Sequence, residues 1–382
     1  MKIPFHKPCM TGDEASAASD VVLSGWTTMG EKTLMFERLF SKYLGGGCAV
    51  AVNSCTSALH LSLIAAGIQP GDRVILPAMT FASTASVVIH SGGVPLLADI
   101  DFDTHCISPD SAESLVSPDV KFIIPVHYSG NTCDIRAIET LADGHALKII
   151  HDAAHAFPSF YNGRPLGSYR DLTCFSFYST KTLSAGEGGM IVTDNEEWAE
   201  RLRTLRLHGI SRDAWKRYTD EGGWEYDLME PGYKYNPTDI TSAIAIEQLK
   251  KTDEMLQSRK KTAEFYNRFF ENVPGLIPYK TRAGVDSSWH LYPLKLELEA
   301  LKIDRNRFIN ELKDAGVGTS VHFIPLYRFS YYRDAGFSAD TYPVCEDVFR
   351  RQISLPIYPS MTDDEKAYVA GTVKSVAVRH RR

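Results

Sequence analysis

The chain has 382 residues, of which 44% are hydrophobic, 11% aromatic and 23% charged. This ordinary globular composition excludes a disordered chain, a collagen-like chain and a disulfide mini-scaffold, and the length suits one large and one small domain. A formal charge of −6, from 41 basic and 47 acidic residues, does not favour binding through nucleic-acid phosphates.

No apolar run approaches the ~18 residues of a membrane span. The stretch from Met1 to Pro8 lacks the apolar core of a signal peptide. A cytoplasmic protein is expected. The seven cysteines are odd in number and none are in C-x-x-C spacing, so free thiols are expected and no metal site is indicated.

From residue 49 to 194 short apolar runs alternate with longer mixed ones. The runs are 49–52, 74–76, 94–97, 122–124, 147–150, 174–177 and 190–193. Bounded by Gly, Pro and Asp, they predict buried strands. Helix-sized stretches, such as Thr56 to Ala66 and Ala82 to His90, lie between several of them. The alternation predicts an α/β fold with a mainly parallel seven-stranded sheet covered on both faces.

Beyond residue 194 the character changes. Glu196 to Leu207 is amphipathic and charged, and Ala243 to Phe270 reads as one long helix leading out of the large domain. A strand around Trp289 to Leu294, a helix from Arg305 to Ala315, a strand from Thr319 to Phe323 and a helix from Asp363 to Val376 follow. The expected division is 1–250 for a large domain and 251–382 for a smaller α+β domain. The basic tail from Arg379 to Arg382 reads as a solvated chain end.

Three segments carry chemistry. Asn53-Ser54-Cys55-Thr56-Ser57-Ala58-Leu59 follows a strand and opens a helix, where hydroxyls and free amides suit a phosphate. His151-Asp152-Ala153-Ala154-His155-Ala156 follows the strand at 147–150, and ligands of open α/β sheets bind at the carboxyl ends of strands. In Phe175 to Gly189 a strand ends in a Ser/Thr-rich turn holding Lys181, then a Gly-rich stretch. A lysine amine can condense with an aldehyde if its environment lowers its pKa. Singly, each segment has an ordinary structural reading: an N-cap, a turn-capping Asp, a surface Lys. Together they fit pyridoxal 5'-phosphate, which needs a phosphate cradle (Thr56, Ser57, Ser176), an acid for its ring nitrogen (Asp152) and a lysine for its aldehyde (Lys181). Phe81, after another strand, is placed to stack on the ring, although a core Phe would look the same.

The chain resembles the DegT/StrS family of sugar aminotransferases, which are fold-type I pyridoxal-phosphate enzymes, and most of all its branch that forms UDP-4-amino-4-deoxy-L-arabinose. The resemblance runs from about residue 4 to about residue 375. It rests on Ser24-Gly25-Trp26, Gly30, the 53–59 segment, Pro125-Val126-His127-Tyr128, the 152–156 segment, Phe175-Ser176-Phe177 and Lys181. Further matches are Gly186-Glu187-Gly188-Gly189, Leu207-His208-Gly209, Gly232 to Asp239, Trp289-His290-Leu291 and Ser354-Leu355-Pro356.

What the resemblance implies is specific. Lys181, Asp152 and His155 are the catalytic residues, with His155 near the cofactor's ring hydroxyl. Thr56, Ser57 and Ser176 hold the phosphate, Phe81 stacks, and Asn236 reaches the phosphate of a neighbouring subunit in a homodimer. His151 stands where an acid is common and Tyr178 where His is common. The implied reaction moves an amino group from L-glutamate to a nucleotide-linked keto sugar, with 4-keto as the first reading. Its destination would be lipopolysaccharide, O-antigen or another glycan. Rivals are another keto sugar or a ketocyclitol as acceptor, a dehydratase of the same fold, and a cofactor-binding regulator without turnover. Lys181 argues against the dehydratase, whose lysine is replaced by His. Acceptor contacts are expected in the loop from Asp213 to Glu230. Arg201, Arg203 and Arg206 could bind an anion or form a solvated helix face. The Tyr327 to Tyr332 stretch could line the sugar site or pack the small domain.

Overall fold

Residues 1–210 and 226–382 are described in a computed structural model. Two helices open the chain, α1 (Gly12–Ser24) and α2 (Glu31–Tyr43). Then strand and helix alternate: β1 (Cys48–Val52), α3 (Cys55–Ala65), β2 (Arg73–Pro77), α4 (Ala82–His90), β3 (Val94–Ala98) and α5 (Pro109–Glu113). They continue with β4 (Val120–Ile123), α6 (Ile135–His145), β5 (Lys148–Asp152), the short β6 (Phe160–Tyr161) and β7 (Arg164–Pro165), β8 (Leu172–Ser176) and β9 (Gly189–Thr193).

The seven long strands form one sheet in the order β1-β9-β8-β5-β4-β2-β3. Neighbours are parallel throughout except at β9, which runs antiparallel to both β8 and β1. The fold class predicted from the apolar runs is the one found. Alternate side chains leave opposite faces of a strand. Accordingly Ile75, Ile123 and Ile149 enter one core, whereas Val74, Leu76, Phe122 and Ile150 enter another under α3 and α4. A third core lies under α2, where the Phe40 ring meets Phe36, Phe157, Phe175 and Phe177 at centroid distances of 5.8, 4.7, 5.4 and 5.6 Å.

After β9 come α7 (Glu196–Leu205), α8 (Asp239–Lys250) and α9 (Thr252–Phe270). The expected single helix over 243–270 is two. Lys251, at φ −98° and ψ 0°, separates them, and its ammonium reaches Asp13 at 2.9 Å and Glu14 at 3.0 Å on α1. No Gly or Pro marks this break, so the residue pattern carries no sign of it.

The remaining elements are β10 (Leu276–Ile277), β11 (Val285–Asp286), β12 (Tyr292–Leu296), α10 (Arg305–Asp314), α11 (Ser330–Asp334), α12 (Pro343–Arg351), β13 (Gln352–Leu355) and α13 (Asp363–Arg379). A small antiparallel sheet runs β10-β12-β13, and β11 joins β6 and β7 in another. The strand expected at 319–323 is not one; Ser320 makes only an isolated bridge with Ser354. The partner of β12 is β13, which starts where α12 stops, at Gln352.

The core that receives Ile75 and Ile149 also holds Tyr292, Leu294, Phe308, Ile353 and Val369, so the two parts of the chain share apolar packing. Ile3 lies beside Val317, donating to Gly316 O and accepting from Gly318 N at 2.8 Å each. The arginines of the basic tail are exposed, yet the tail is also tied down: Arg379 and His380 meet Glu311, and Arg382 donates to Leu301 O at 2.7 Å.

All seven cysteines are free thiols. Among the described residues no helix is long and apolar enough to cross a membrane, and no three His, Cys, Asp or Glu side chains gather to hold a metal.

Candidate active site

Three chain segments meet at the carboxyl edge of the large sheet, and each is there for a local reason. Asp152 ends β5 and is buried. Its Oδ1 accepts from the Ala154 amide at 3.1 Å and its Oδ2 from the Thr84 hydroxyl at 2.9 Å. Burial pushes its pKa up; these donors and the Lys181 charge work against the rise.

Ser176 ends β8, and the chain then turns through Phe177 to Gly188. The turn is closed by Phe177 N to Gly188 O at 2.9 Å and by Ala185 N to Phe177 O at 2.9 Å. Lys181 lies within this turn, its amide bound to Tyr178 O at 2.8 Å. Burial lowers its amine pKa to about 8, against the opposing pull of Cys55 and Asp152. In return the Lys181 charge is felt by Asp152, Cys55, His155, His290 and His322. Lys181 is therefore within electrostatic reach of both Asp152 and His155.

Ser54 caps α3, accepting from the Ser57 amide at 3.1 Å, while Ser57 Oγ donates to Asn53 Oδ1 at 2.6 Å. Ser57 is buried and Thr56 exposed. The start of β9 comes close: a Cβ on Gly189 would lie 2.5 Å from the Ser54 carbonyl carbon. Only Gly fits there, and Gly189 is the register partner of Ser176. Ser176, Ser54 and the first turn of α3 thus form one corner.

Asn53 N donates to Tyr235 O at 2.7 Å, which brings the 233–236 segment to the same corner. Asn236 Nδ2 donates to Pro237 O at 3.1 Å, and its Oδ1 is buried without a partner among the described residues. Phe81, at the N-cap of α4, leaves 59% of its surface exposed and lies 5.9 Å from the Phe323 ring.

His155 is buried. The Ser129 amide donates to its Nδ1 at 3.4 Å, so the proton of the neutral ring sits on Nε2. Its ring lies 4.5 Å from that of His290, 6.4 Å from that of His322, and stacks on Phe323 at 5.4 Å. Burial holds all three histidines below their usual pKa, His322 at about 4. His290 and His322 look dispersed in sequence, yet the fold gathers them here. Thr84 was also not singled out, although it lies in the segment that supplies Phe81. Of the three arginines on α7 and its end, Arg206 is buried against Glu37, Arg201 pairs with Glu230 and Arg203 with Glu200. Tyr327 and Tyr332 are buried in the core, whereas Tyr331 is exposed. The loop expected to carry acceptor contacts, 213–230, lies outside the described residues up to 225.

The donor set suits pyridoxal phosphate. A buried carboxylate is hydrogen-bonded by neutral donors, an amine of lowered pKa sits in its field, and a helix opens towards the corner with its first amides.

Comparison with known proteins agrees. The model of the DegT/DnrJ/EryC1/StrS aminotransferase family matches residues 8–374. The chain is 47% identical over 380 residues to the uncharacterised protein MJ1066 of Methanocaldococcus jannaschii, covering 99% of this chain and 98% of that protein. It is 42% identical over 376 residues to the spore coat polysaccharide biosynthesis protein SpsC of Bacillus subtilis, covering 98% and 97%. The putative sugar aminotransferase Spr1654 of Streptococcus pneumoniae, in its PMP form, superposes with a TM-score of 0.94 at 34% identity, covering 99% and 100% of the two chains. Its PLP form gives 0.93. PseC of Helicobacter pylori, an aminotransferase of pseudaminic acid biosynthesis, gives 0.91 at 26% identity, covering 99% and 100%. The chain belongs to the DegT/DnrJ/EryC1/StrS aminotransferase family and is a pyridoxal-phosphate-dependent sugar aminotransferase of fold type I.

Proposed function

We propose that this enzyme moves an amino group from L-glutamate to a nucleotide-linked 4-keto sugar, in the cytoplasm, as a homodimer with shared active sites. The observation that carries the reading is that Lys181 acts electrostatically on both Asp152 and His155, at the sheet edge where Ser54 caps the first turn of α3. The destination we infer is a surface glycan, lipopolysaccharide or O-antigen among them. That SpsC is named for spore coat polysaccharide and PseC for pseudaminic acid supports a glycan in general.

When bound, the cofactor supplies an aldehyde carbon and a ring that takes up electron density from the carbon being deprotonated. Lys181 would hold the cofactor through its aldehyde and would move the proton as base and then acid. An amine pKa of about 8 suits both tasks near neutrality. Asp152 keeps a proton on the ring nitrogen, an electrostatic role that strengthens with burial. His155 serves the ring hydroxyl. Thr56, Ser57, Ser176 and the first amides of α3 hold the phosphate, and Phe81 covers one ring face. Asn236 completes the phosphate site of the neighbouring subunit. Residues 1–250 would carry the cofactor and 251–382 the smaller domain.

The test is an absorbance spectrum of the purified protein before and after L-glutamate. Conversion of the visible band to that of pyridoxamine phosphate, absent in Lys181→Ala, establishes the first half-reaction. A panel of nucleotide-linked 3-keto and 4-keto sugars and ketocyclitols then assigns the acceptor, and sedimentation gives the oligomeric state. A cofactor band that ignores glutamate would overturn the donor. The absence of any band after reconstitution would overturn the whole reading.

A further inference from the structure

Asp152 is held from outside its own strand by two threonines at the start of α4. Thr84 Oγ1 donates to Asp152 Oδ2 at 2.9 Å, and Thr80 Oγ1 lies 2.8 Å from Thr84 Oγ1. A hydroxyl has one proton to give. Thr84 gives its own to the carboxylate, so the proton between the two threonines belongs to Thr80. The donors run one way: Thr80 to Thr84 to Asp152. Thr80, Thr84 and Asp152 are 1%, 0% and 4% exposed, so water does not replace any link. The other carboxylate oxygen takes the Ala154 amide at 3.1 Å. One donor on each oxygen fixes the carboxylate plane and leaves further lone pairs for a third partner.

We propose that Thr84, backed by Thr80, is a positioning residue that orients Asp152 and keeps it ionised for the cofactor's ring nitrogen. This rests on the reading that Asp152 meets that nitrogen. The groups facing Asp152 show why such a residue is useful. Lys181 favours the carboxylate, whereas the Cys55 and Cys174 thiols share a repulsive field with it whenever they ionise. His127, whose amide donates to Asp152 O at 2.9 Å, and the adjacent His151 are kept neutral by burial and add no charge. Burial itself pushes Asp152 towards its neutral form. Lys181 changes its protonation during turnover, so its support comes and goes. The Thr84 hydroxyl does not titrate, so its support is constant. Phe81, three residues before Thr84, begins the same helix, so α4 would present the ring with both its stacking face and the brace of its acid.

The experiment compares Thr84→Val, which keeps the shape and loses the donor, with Thr84→Ser, which restores it. Thr80→Val removes the upstream donor, and Asp152→Asn is the reference. Two quantities are read: the Kd of the apoprotein for pyridoxal phosphate, and the pH profile of conversion by L-glutamate. T84V is expected to bind the cofactor about tenfold more weakly, the loss of one hydrogen bond to a charged group. Its acid limb should move up by about one pH unit, because Asp152 then protonates more easily. T84S should match the parent in both, and T80V should shift both in the same direction by less. Equal damage in T84V and T84S, or a T84V indistinguishable from the parent, would overturn the proposal. If T84V does not fold, an unshifted acid limb in T80V overturns it instead. D152N separates the two levels: if D152N also leaves both quantities unchanged, it is the role of Asp152 that fails.

Discussion

The Asp239 carboxylate accepts both the amide and the hydroxyl of Thr33, at 2.9 and 2.7 Å. It also takes the amides of Gly30 at 2.8 Å and Lys32 at 3.1 Å. The first turn of α2 is thus capped from α8. Gly30, the N-cap itself, has no side chain to do so, and a Cβ there would lie 2.8 Å from Asp239 Oδ2. The Gly30 and Asp239 motif residues are two halves of one contact.

Removing that acceptor leaves the buried Thr33 amide and the half-buried amides of the turn unpaired. Asp239→Ala should therefore cost about 2–4 kcal/mol of stability, more than an exposed cap. Urea unfolding of the apoprotein followed by circular dichroism measures it. A change under about 1 kcal/mol would show that water replaces the carboxylate.

A second buried contact closes the edge of the large sheet. β1 is an edge strand, and the outward amide and carbonyl of its Ala51 are taken by Glu37 Oε1 at 2.9 Å and Arg206 Nη1 at 2.6 Å. Glu37 and Arg206 also pair with each other and are 6% and 1% exposed. Glu37→Ala leaves a buried charge without its partner and should destabilise by about 3–5 kcal/mol. The double variant E37A/R206A should lose less than the two single losses added, by about 1 kcal/mol or more. Additive losses in a double-mutant cycle would contradict the coupling.

Lys181 must be neutral to attack an aldehyde. With its pKa lowered to about 8, reconstitution of the apoprotein with pyridoxal phosphate should accelerate about tenfold per pH unit below 8 and level off above it. Stopped-flow absorbance from pH 6 to about 9.5 reads this directly. A rate still climbing at the upper limit would place the amine at an ordinary lysine pKa.

Several histidines are buried in their neutral form, including His151 at a pKa of about 3 and His322 at about 4, against 6.5 for the free side chain. Between pH 6.5 and about 4 the unfolded chain takes up protons that the folded chain refuses, so stability falls as the pH falls. Each such histidine contributes up to about 1.4 kcal/mol per pH unit in that window. The thermal midpoint of the apoprotein should drop progressively as the pH falls below 6.5. The paired carboxylates Glu14 and Glu299, lowered from 4.5 to about 2, act only below about pH 4.5, so a midpoint constant from pH 6.5 down to 4.5 would contradict the histidine assignment.

What was legible in the residues follows from what each signal measures. The strands of the large sheet are buried on both faces, so their apolar runs stand out, and the positions of Asp152, Ser176 and Lys181 follow from where those runs end. The break at Lys251 was invisible because tertiary ion pairs accompany it and no backbone breaker marks it. Nothing in the residues marks β13, which begins without a turn after α12, and Thr319 to Phe323 has the composition of a strand yet makes only the single bridge at Ser320. The burial of Arg206 is not legible in the residues, because helix periodicity does not show that α2 brings Glu37 to it. His290 and His322 could not be placed beside His155 from spacing at all, since only the folded small sheet brings them there.

Ile3 and Val317 lie side by side, with the backbone of Ile3 bonded on both sides to Gly316 and Gly318. Ile3 thus waits for partners synthesised long after it. During translation, that edge of the C-terminal unit has nowhere to dock until residue 318 has cleared the ribosome, whereas the large sheet has all its strands by residue 193. The order of synthesis lets the strands of the large sheet form first and leaves the Ile3 segment as a latch that shuts only after them. Replacing Ile3 with proline, which removes the amide that Gly316 O accepts, would obstruct that step and leave the earlier ones untouched.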